Sequence, residues 1–317
     1  MDFDITNPIF QDTEKARRHL EHVRWPDGPV CPHCGVFGDA ITKVEGKKQS
    51  HRPGLYHCNG CEKQFTVTVG TVYESSHVPL HKWLLATHLM TASKKGISAH
   101  QIHRMLGITY KSAWFMAHRI REGMREFNPP PMGGEGKTIE ADETYYGPGV
   151  RRAGSRKKRQ GTAGKSKIVA LVERGGPVRS FKVDHADAKT IRKVLVENAS
   201  RKSKLMTDEA GMYASVGLEF ERHGTVMHSA EEWVRRDDRL VHTNTIEGFF
   251  SIFKRGMRGI YQHCGEQHLQ RYLDEFGFRY SNRIALGIDD QQRALKALRG
   301  IEGKRLTYRR IDGQART

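Results

Sequence analysis

The chain is short of acid. Against 53 Lys and Arg it carries 36 Asp and Glu, a formal net charge of +17 over 317 residues. That deficit says little about fold but much about partners, because a surface this basic attracts polyanions, nucleic acid first, with binding that weakens as salt rises. Long apolar runs are also missing. The best, Trp83 to Met90, is interrupted by Thr87 and His88 and falls short of the ~18 apolar residues of a membrane span. The first residues, Met1-Asp-Phe-Asp4, are acidic and lack the basic-then-apolar pattern of a secretory signal. A cytoplasmic protein is therefore expected. What remains, 37 % hydrophobic and 28 % charged, suits a polar globular chain of two domains, or one domain with appendages.

Cysteine is scarce, and four of the five fall into a pattern: Cys31-Pro-His-Cys34 and Cys58-Asn-Gly-Cys61. Two Cys-x-x-Cys turns deliver four thiolates to one tetrahedral Zn²⁺, and a closed set of four sulfurs makes that zinc structural. Gly35 and Gly60 permit the tight knuckle backbone. Two redox dithiols or buried small hydrophobes are the alternative. Cys264 has no partner in sequence and reads as a plain thiol.

Residues 1–75 are expected to form an N-terminal helix and the ribbon, closed by an alternating strand at Gln64 to Gly70. Residues 76–127 read as helical. One helix covers Lys82 to Ser93. A second is capped by Ser98 and runs to Leu106; a third is capped by Thr109 and runs from Tyr110 to Glu122. The turn at Gly107-Ile108, followed by Lys111, His118, Arg119 and Arg121, fits a helix-turn-helix that reads DNA; an ordinary bundle with a solvated basic face is the alternative. Residues 128–136, rich in Pro and Gly, read as a linker.

From 137 to 290 the pattern is α/β. Strands are expected at Lys137–Tyr145, Lys167–Glu173, Val178–Val183, Lys204–Thr207 and Thr225–Met227, with helices at Asp187–Asn198, Thr243–Met257 and His268–Tyr280. This order suggests a mixed sheet with helices on its faces. An insert at 148–167 carries Arg156, Lys157, Lys158 and Arg159 among eight positive charges in Arg151 to Lys167 and no negative one. Its placement suits a DNA clamp; a solvated loop is the bland reading. Residues 291–317 read as a basic C-terminal tail.

A few acids stand where chemistry would want them. In Thr138-Ile-Glu-Ala-Asp-Glu-Thr-Tyr145, alternation puts Glu140 and Asp142 on one face, with Ile139, Ala141 and Glu143 on the other. Asp208 ends the strand Leu205-Met-Thr-Asp208, the usual place for a site in an open α/β sheet. On the helix after Thr243, Asn244 and Glu247 share a face, and Lys254 falls near it two turns on. Oxygen ligands of this kind suit two Mg²⁺ or Mn²⁺ ions working on a phosphodiester. For any one acid alone, a salt bridge or helix cap is the better explanation.

Five blocks together carry a resemblance. Cys31-Pro-His-Cys-Gly35, Tyr56-His-Cys-Asn-Gly-Cys-Glu-Lys-Gln-Phe-Thr66, Glu140-Ala-Asp-Glu-Thr-Tyr-Tyr-Gly147, Met206-Thr-Asp-Glu-Ala-Gly-Met-Tyr213 and His242-Thr-Asn-Thr-Ile-Glu-Gly-Phe-Phe-Ser-Ile-Phe-Lys-Arg-Gly256 occur in order from the ribbon onward. In these the chain resembles bacterial insertion-sequence transposases of the ISXO-like group, insertion-sequence family 1595. The resemblance implies an RNase H-like catalytic domain that cleaves and joins DNA strands. Two Mg²⁺ or Mn²⁺ ions would be held there by Asp142, Asp208 and a helical third ligand. Asn244 is favoured for that position, with Glu247 adjacent and able to share it.

The ribbon and the helix-turn-helix would bind the inverted-repeat ends of the element, and Lys254 and Arg255 would contact DNA. The partners implied are end DNA, target DNA and a second copy of the chain, in a homodimer or larger assembly on the bacterial nucleoid. Two rivals remain at this point: a non-enzymatic DNA-binding regulator with a decayed nuclease domain, and an RNase H-like nuclease that cuts without joining.

Overall fold

The computed structural model describes residues 4–45, 51–148 and 161–307. The cations Arg156, Lys157, Lys158 and Arg159 of the insert lie outside the described residues. The chain divides into two compact units, Met1–Arg125 with Asp289–Thr317, and Glu126–Ile288. Among the described residues no helix is long and apolar enough to cross a membrane.

In the first unit, Asp12 accepts from the Lys15 amide and caps α1 (Thr13–Arg24), which buries Ala16 and Leu20. The ribbon follows as three short antiparallel strands, β1 (Ile41–Lys43), β2 (Tyr56–Cys58) and β3 (Lys63–Phe65). So small a sheet has little core of its own. Trp25 supplies one, meeting the rings of Tyr56 and Phe65 edge-on at 5.6 and 5.8 Å. The strand expected over Gln64–Gly70 stops at Phe65. Beyond it Val69 donates to the Thr66 carbonyl, and Thr71 donates to the Thr68 carbonyl through both its amide and its hydroxyl. Threonines that bond their own neighbourhood favour turns over a ladder.

Three helices follow. They are α2 (Leu80–Ala92), α3 (Ala99–Leu106) and α4 (Tyr110–Met124). Ser98 and Gln101 form a capping box at the start of α3. Gly107 closes that helix at φ +59°, in the left-handed region that favours glycine, and Thr109 caps α4. A helix, a glycine turn and a second helix are thus present, but the basic face expected on the second is not. Arg119 and Arg121 are 7 % and 2 % exposed. Arg119 donates to the Glu74 carbonyl and lies 5.1 Å over the Trp83 ring. Its stem and guanidinium serve the interior of the unit. Lys111, at the start of α4, is exposed.

The second unit is built on a five-stranded sheet. β4 (Thr138–Tyr146), β5 (Ser166–Glu173) and β6 (Val178–Val183) run antiparallel in sequence; β7 (Lys204–Asp208) pairs parallel to β4, and β8 (Arg222–Val226) parallel to β7. The order across the sheet is β6-β5-β4-β7-β8. Asp187 caps α5 (Ala188–Asn198), and the one-turn α6 (Ala214–Gly217) follows β7. These cover one face, where Ile139, Ala141, Val169 and Leu171 meet Ile191, Leu195 and Tyr213. α7 (Asn244–Gly256) and α8 (Leu269–Ser281) cover the other, where Ile168, Ala170 and Val172 meet Phe249, Phe253 and Phe276. This is the mixed, helix-flanked sheet of an RNase H-like domain.

Residues 128–136, expected to be a linker, are held against this unit. Met132 is buried and exchanges backbone hydrogen bonds with Asn198 and Ser200, and the Gly134 amide donates to Ser203.

The C-terminal segment departs from the expected tail. Asp289 and Gln292 form a second capping box, and α9 (Asp290–Arg299) buries Ala294, Ala297 and Leu298 within the first unit, against α1, α2 and α4. Past α9, Val72 donates to the Ile301 carbonyl and Gly303 to the Gly70 carbonyl. The spacing of Ala294, Ala297 and Leu298 is that of one helix face. The segment therefore buries an apolar stripe, and its charge is on the remainder.

The turn out of α9 depends on backbone approach. A Cβ added to Gly300 would lie 2.4 Å from the Gly123 carbonyl oxygen. Gly300→Ala is expected to destabilise the first unit by about 1–3 kcal/mol. Gly248→Ala, in the interior of α7 and facing open space, is expected to stabilise the second by about 0.5–1 kcal/mol. Urea unfolding of the two variants measures both signs.

Candidate metal centres

The ribbon brings Cys31, Cys34, Cys58 and Cys61 together, with all four sulfurs within 4.8 Å of one another. The Cys31–Cys61 and Cys34–Cys58 sulfur separations are 3.7 and 3.6 Å. A zinc–sulfur bond of about 2.3 Å implies tetrahedron edges of about 3.8 Å. The four thiols therefore fit a structural zinc without rearrangement. Their titration fits as well. At Cys31 burial acts to raise the pKa, but the amides of His33 and Cys34 outweigh it and bring the thiol to about 7. Burial and then the neighbouring sulfurs push Cys61 up to about 12. Four thiolates this close need a cation among them.

The second centre arises from strand register. β4 and β7 pair in parallel, with Glu140 opposite Met206 as the last pair. Asp142 and Asp208 each lie two residues beyond that pair, so they stand level and on the same face of the sheet. Glu143 joins them, and oxygens of Asp142, Glu143 and Asp208 all lie within 4.8 Å of one another.

The three are positioned from different sides. Asp142 accepts from the Glu143 amide at 2.7 Å, and the buried Tyr213 hydroxyl donates to Glu143 at 2.8 Å. Asp208 accepts from the Ala210 amide at 3.1 Å. Two carboxylates within 4.8 Å of each other repel by at least about 3 kcal/mol at an effective dielectric of about 20, more than the ~1 kcal/mol of an ordinary hydrogen bond returns. Burial first, then the charges of Glu143, Asp208 and Glu247, push Asp142 up to about 8. Burial raises Glu143 too. Such a cluster is stabilised by protons or by a hard cation, and its all-oxygen donor set suits Mg²⁺ or Mn²⁺.

Glu140 shares a face with Asp142, as alternation requires, yet its acceptor capacity is already used. Fully buried, it accepts from Arg174 Nε at 2.6 Å, from Thr245 Oγ1 at 2.8 Å and from the Ile246 amide at 2.9 Å. Arg174 in turn donates to the Leu240 and His242 carbonyls at 2.6 and 2.8 Å. This buried ion pair ties the first turn of α7 to β4. Asn244 is the exposed first residue of that turn, and Glu247, one turn on, comes within electrostatic reach of Asp142.

Glu247 accepts from Thr243 Oγ1 at 2.9 Å and lies 3.4 Å from His228 Nε2. His228 itself is set by Glu209, the residue after Asp208, whose carboxylate accepts from the amides of His228 and Ser229. Those amides hold Glu209 down to about 2. Further along α7, burial lowers the Lys254 ammonium pKa while the charge of Asp142 raises it. Lys254 is thus within electrostatic reach of the trio. Arg255 is exposed and donates back to the Ser251 carbonyl at 3.2 Å.

Glu143 is the residue sequence reasoning missed. Period two assigned it to the opposite face, where Tyr213 does hold it, but its carboxylate reaches the sheet's edge and meets Asp142 there. A third acid directly beside Asp142 was the available signal.

The sign of the Asp142 shift gives a stability test. A carboxyl raised to about 8 stays protonated in the folded chain while the unfolded chain loses its proton near pH 4, so this group's contribution falls as pH rises from about 4 to 8. Asp142→Asn removes that loss. Without added divalent ion at pH 8 it is expected to melt above wild type, on the scale of about 2–4 °C per kcal/mol. Wild type should gain stability on adding Mn²⁺ and the variant should gain less. Differential scanning calorimetry with and without the ion checks both.

The regions that carry the two centres each match a family of known proteins. A family model for a transposase zinc-ribbon domain matches residues 11–64, and one for an ISXO2-like transposase domain matches residues 133–281. The chain is also 27 % identical over 287 residues to a Halobacterium salinarum protein described as an uncharacterized protein in transposable element ISH50. That match covers 85 % of this chain and 91 % of the relative. Ribbon and transposase domain are matched in the same order along one chain, which supports an insertion-sequence transposase of the IS1595 family.

Proposed function

We propose that the protein cleaves DNA at the inverted-repeat ends of an insertion sequence and transfers the freed strand to a target. The observation that carries this reading is the convergence of Asp142, Glu143 and Asp208 beyond the last β4–β7 pair. A site of half-buried carboxylates in so basic a chain is suited to hold cations against a polyanion.

In this reading Asp142 and Asp208 hold two Mg²⁺ or Mn²⁺ ions, with Glu143 beside them and Asn244 and Glu247 approaching from α7. Asn244 remains our choice for the third ligand, and Glu247, with Oε1 engaged by Thr243 and His228, can share the role through its other oxygen. Divalent ions bound there supply Lewis acidity and a nucleophile ionised at neutral pH, and stabilise the leaving oxygen of an in-line displacement. The chain's own residues do the rest. Lys254 gives a phosphate oxygen a charge-assisted donor. Thr243 and His228 fix the Glu247 carboxylate, and the Glu140–Arg174 pair keeps α7 at its distance from β4.

The zinc, by closing four thiolates, holds the ribbon in shape for DNA, with phosphate contacts supplying affinity and base contacts choice. Among the helical cations expected to meet DNA, Lys111 is exposed and suited to phosphate contact. Joining two element ends to one target calls for at least two copies of the chain.

The test is an assay with end-labelled inverted-repeat DNA and Mg²⁺ or Mn²⁺. Wild type should yield both a cleaved strand and a strand-transfer product. Asp142→Asn and Asp208→Asn should each lose about 10²-fold or more of both while retaining DNA binding. Binding without cleavage by wild type would overturn the reading in favour of a regulator, and cleavage without joining in favour of a nuclease.

A further inference from the structure

Beside the acidic trio, the end of β4 and the end of α7 enclose a cleft of about 380 Å³, within the about 300–1,000 Å³ of small-ligand sites. Lys165, Lys254, Arg258 and His263 line it together with Tyr145 and Tyr146, and no acid is among its described lining residues. Among the described residues, Lys165, Lys254 and Arg258 form no ion pair with a carboxylate. Lys254 feels Asp142 as an opposite charge and both Arg258 and Lys165 as like charges. Cations gathered in excess of counter-charge in a half-buried cleft are stabilised by an anion entering it.

The backbone is shaped for this arrangement. α7 does not end cleanly but continues as a π-helical turn, Met257–Tyr261, which carries Arg258. The next residue, Gln262, stands at φ +57°, a left-handed conformation costly for a residue with a side chain. Single π-helical turns of this kind occur frequently at functional sites.

Two features distinguish a nucleotide from a bare anion. The cleft pairs its cations with two tyrosines, and every base offers a π face to such rings. It also shares Lys254 with the acidic centre. At about 3.3 Å per residue, Tyr145 lies about 10 Å along β4 from Asp142, a span of about three stacked nucleotides and fewer where a strand is unstacked.

We propose that this cleft takes one unstacked nucleotide of the DNA strand lying across the acidic centre, its phosphates on Lys165, Lys254 and Arg258 and its base against Tyr146, the tyrosine on the α7 face. The inference rests on the function proposed above and adds the position where the strand leaves its duplex. Arg258 and Lys165 then act as strand-positioning residues.

The test uses the full zinc-loaded chain with Mg²⁺ and Mn²⁺ omitted, so that no strand is cut. The probe is a blunt inverted-repeat duplex carrying 2-aminopurine near the element end and fluorescein at the far end. Emission from 2-aminopurine should rise at least about twofold when wild type or Asp208→Asn binds, because the base leaves its stack. Arg258→Gln and Lys165→Gln should lose the rise while fluorescein anisotropy still reports binding. Both side chains reach solvent, so neither change is expected to unfold the unit.

Thymidine 5′-monophosphate should suppress the rise at concentrations where inorganic phosphate does not. No rise with wild type, a rise that persists in both variants, or equal suppression by inorganic phosphate would overturn the proposal. Parallel cleavage assays with Mg²⁺ separate the two readings. A rise without wild-type cleavage counts against the function alone, and cleavage without a rise against the cleft alone.

Discussion

The parallel pairing of β4 with β7 is the constraint on which the second unit depends. It sets Asp142 and Asp208 level beyond the last pair, on the α7 face, at a separation where like charges repel. That repulsion is opposed by the packing that holds the strands in register. Ile139, Ala141 and Leu205 are sealed under α5 on one face, and Ile168, Ala170 and Val172 under α7 and α8 on the other. Moving β7 by one residue against β4 would turn Leu205 out of its core and Asp208 into it. The hydrophobic pattern of the strands thus enforces an electrostatically unfavourable arrangement, which a proton or a divalent ion would relieve. Around it the remaining polar contacts have evident roles: Glu140 and Arg174 position α7, Glu209 orders the segment after β8, and Lys254 joins the trio to the basic cleft.

In the first unit a different shortage is met by different means. Three strands of three residues cannot bury a core, and four sulfurs gathered at tetrahedral spacing supply the missing cohesion once a metal closes them. The helical part recruits the far end of the chain. α9 packs on α1, α2 and α4, and its exit is fixed by the Gly300–Gly123 approach and by the Val72–Ile301 hydrogen bond. The chain therefore leaves this unit, builds the sheet, and comes back to finish it.

Much of this was legible in the sequence where a single residue type has a single physical use. Cysteine pairs at metal spacing, Ser98 and Thr109 before helices, and alternating apolar strands all appear where their chemistry implies. Asp142 and Asp208 were legible as strand acids, and their meeting follows from parallel register. Two of the misreadings share a cause: charge was taken for exposure. Arg119 and Arg121 bury long apolar stems, with Arg119 lying over an aromatic ring. The chain's end hides the stripe of Ala294, Ala297 and Leu298 among cations. Glu143 was assigned by alternation alone, although at the sheet's edge a long side chain can turn toward its neighbour's face. Thr66 and Thr68, good strand formers by propensity, spend their groups on turns instead.

The central claim is that Asp142, Glu143 and Asp208 form a divalent-cation site. Anomalous diffraction from crystals of the protein soaked in Mn²⁺ tests it directly. A manganese peak within bonding distance of both Asp142 and Asp208, lost in Asp208→Asn, is the predicted result. Well-ordered carboxylates with no peak between them at saturating Mn²⁺ would contradict it.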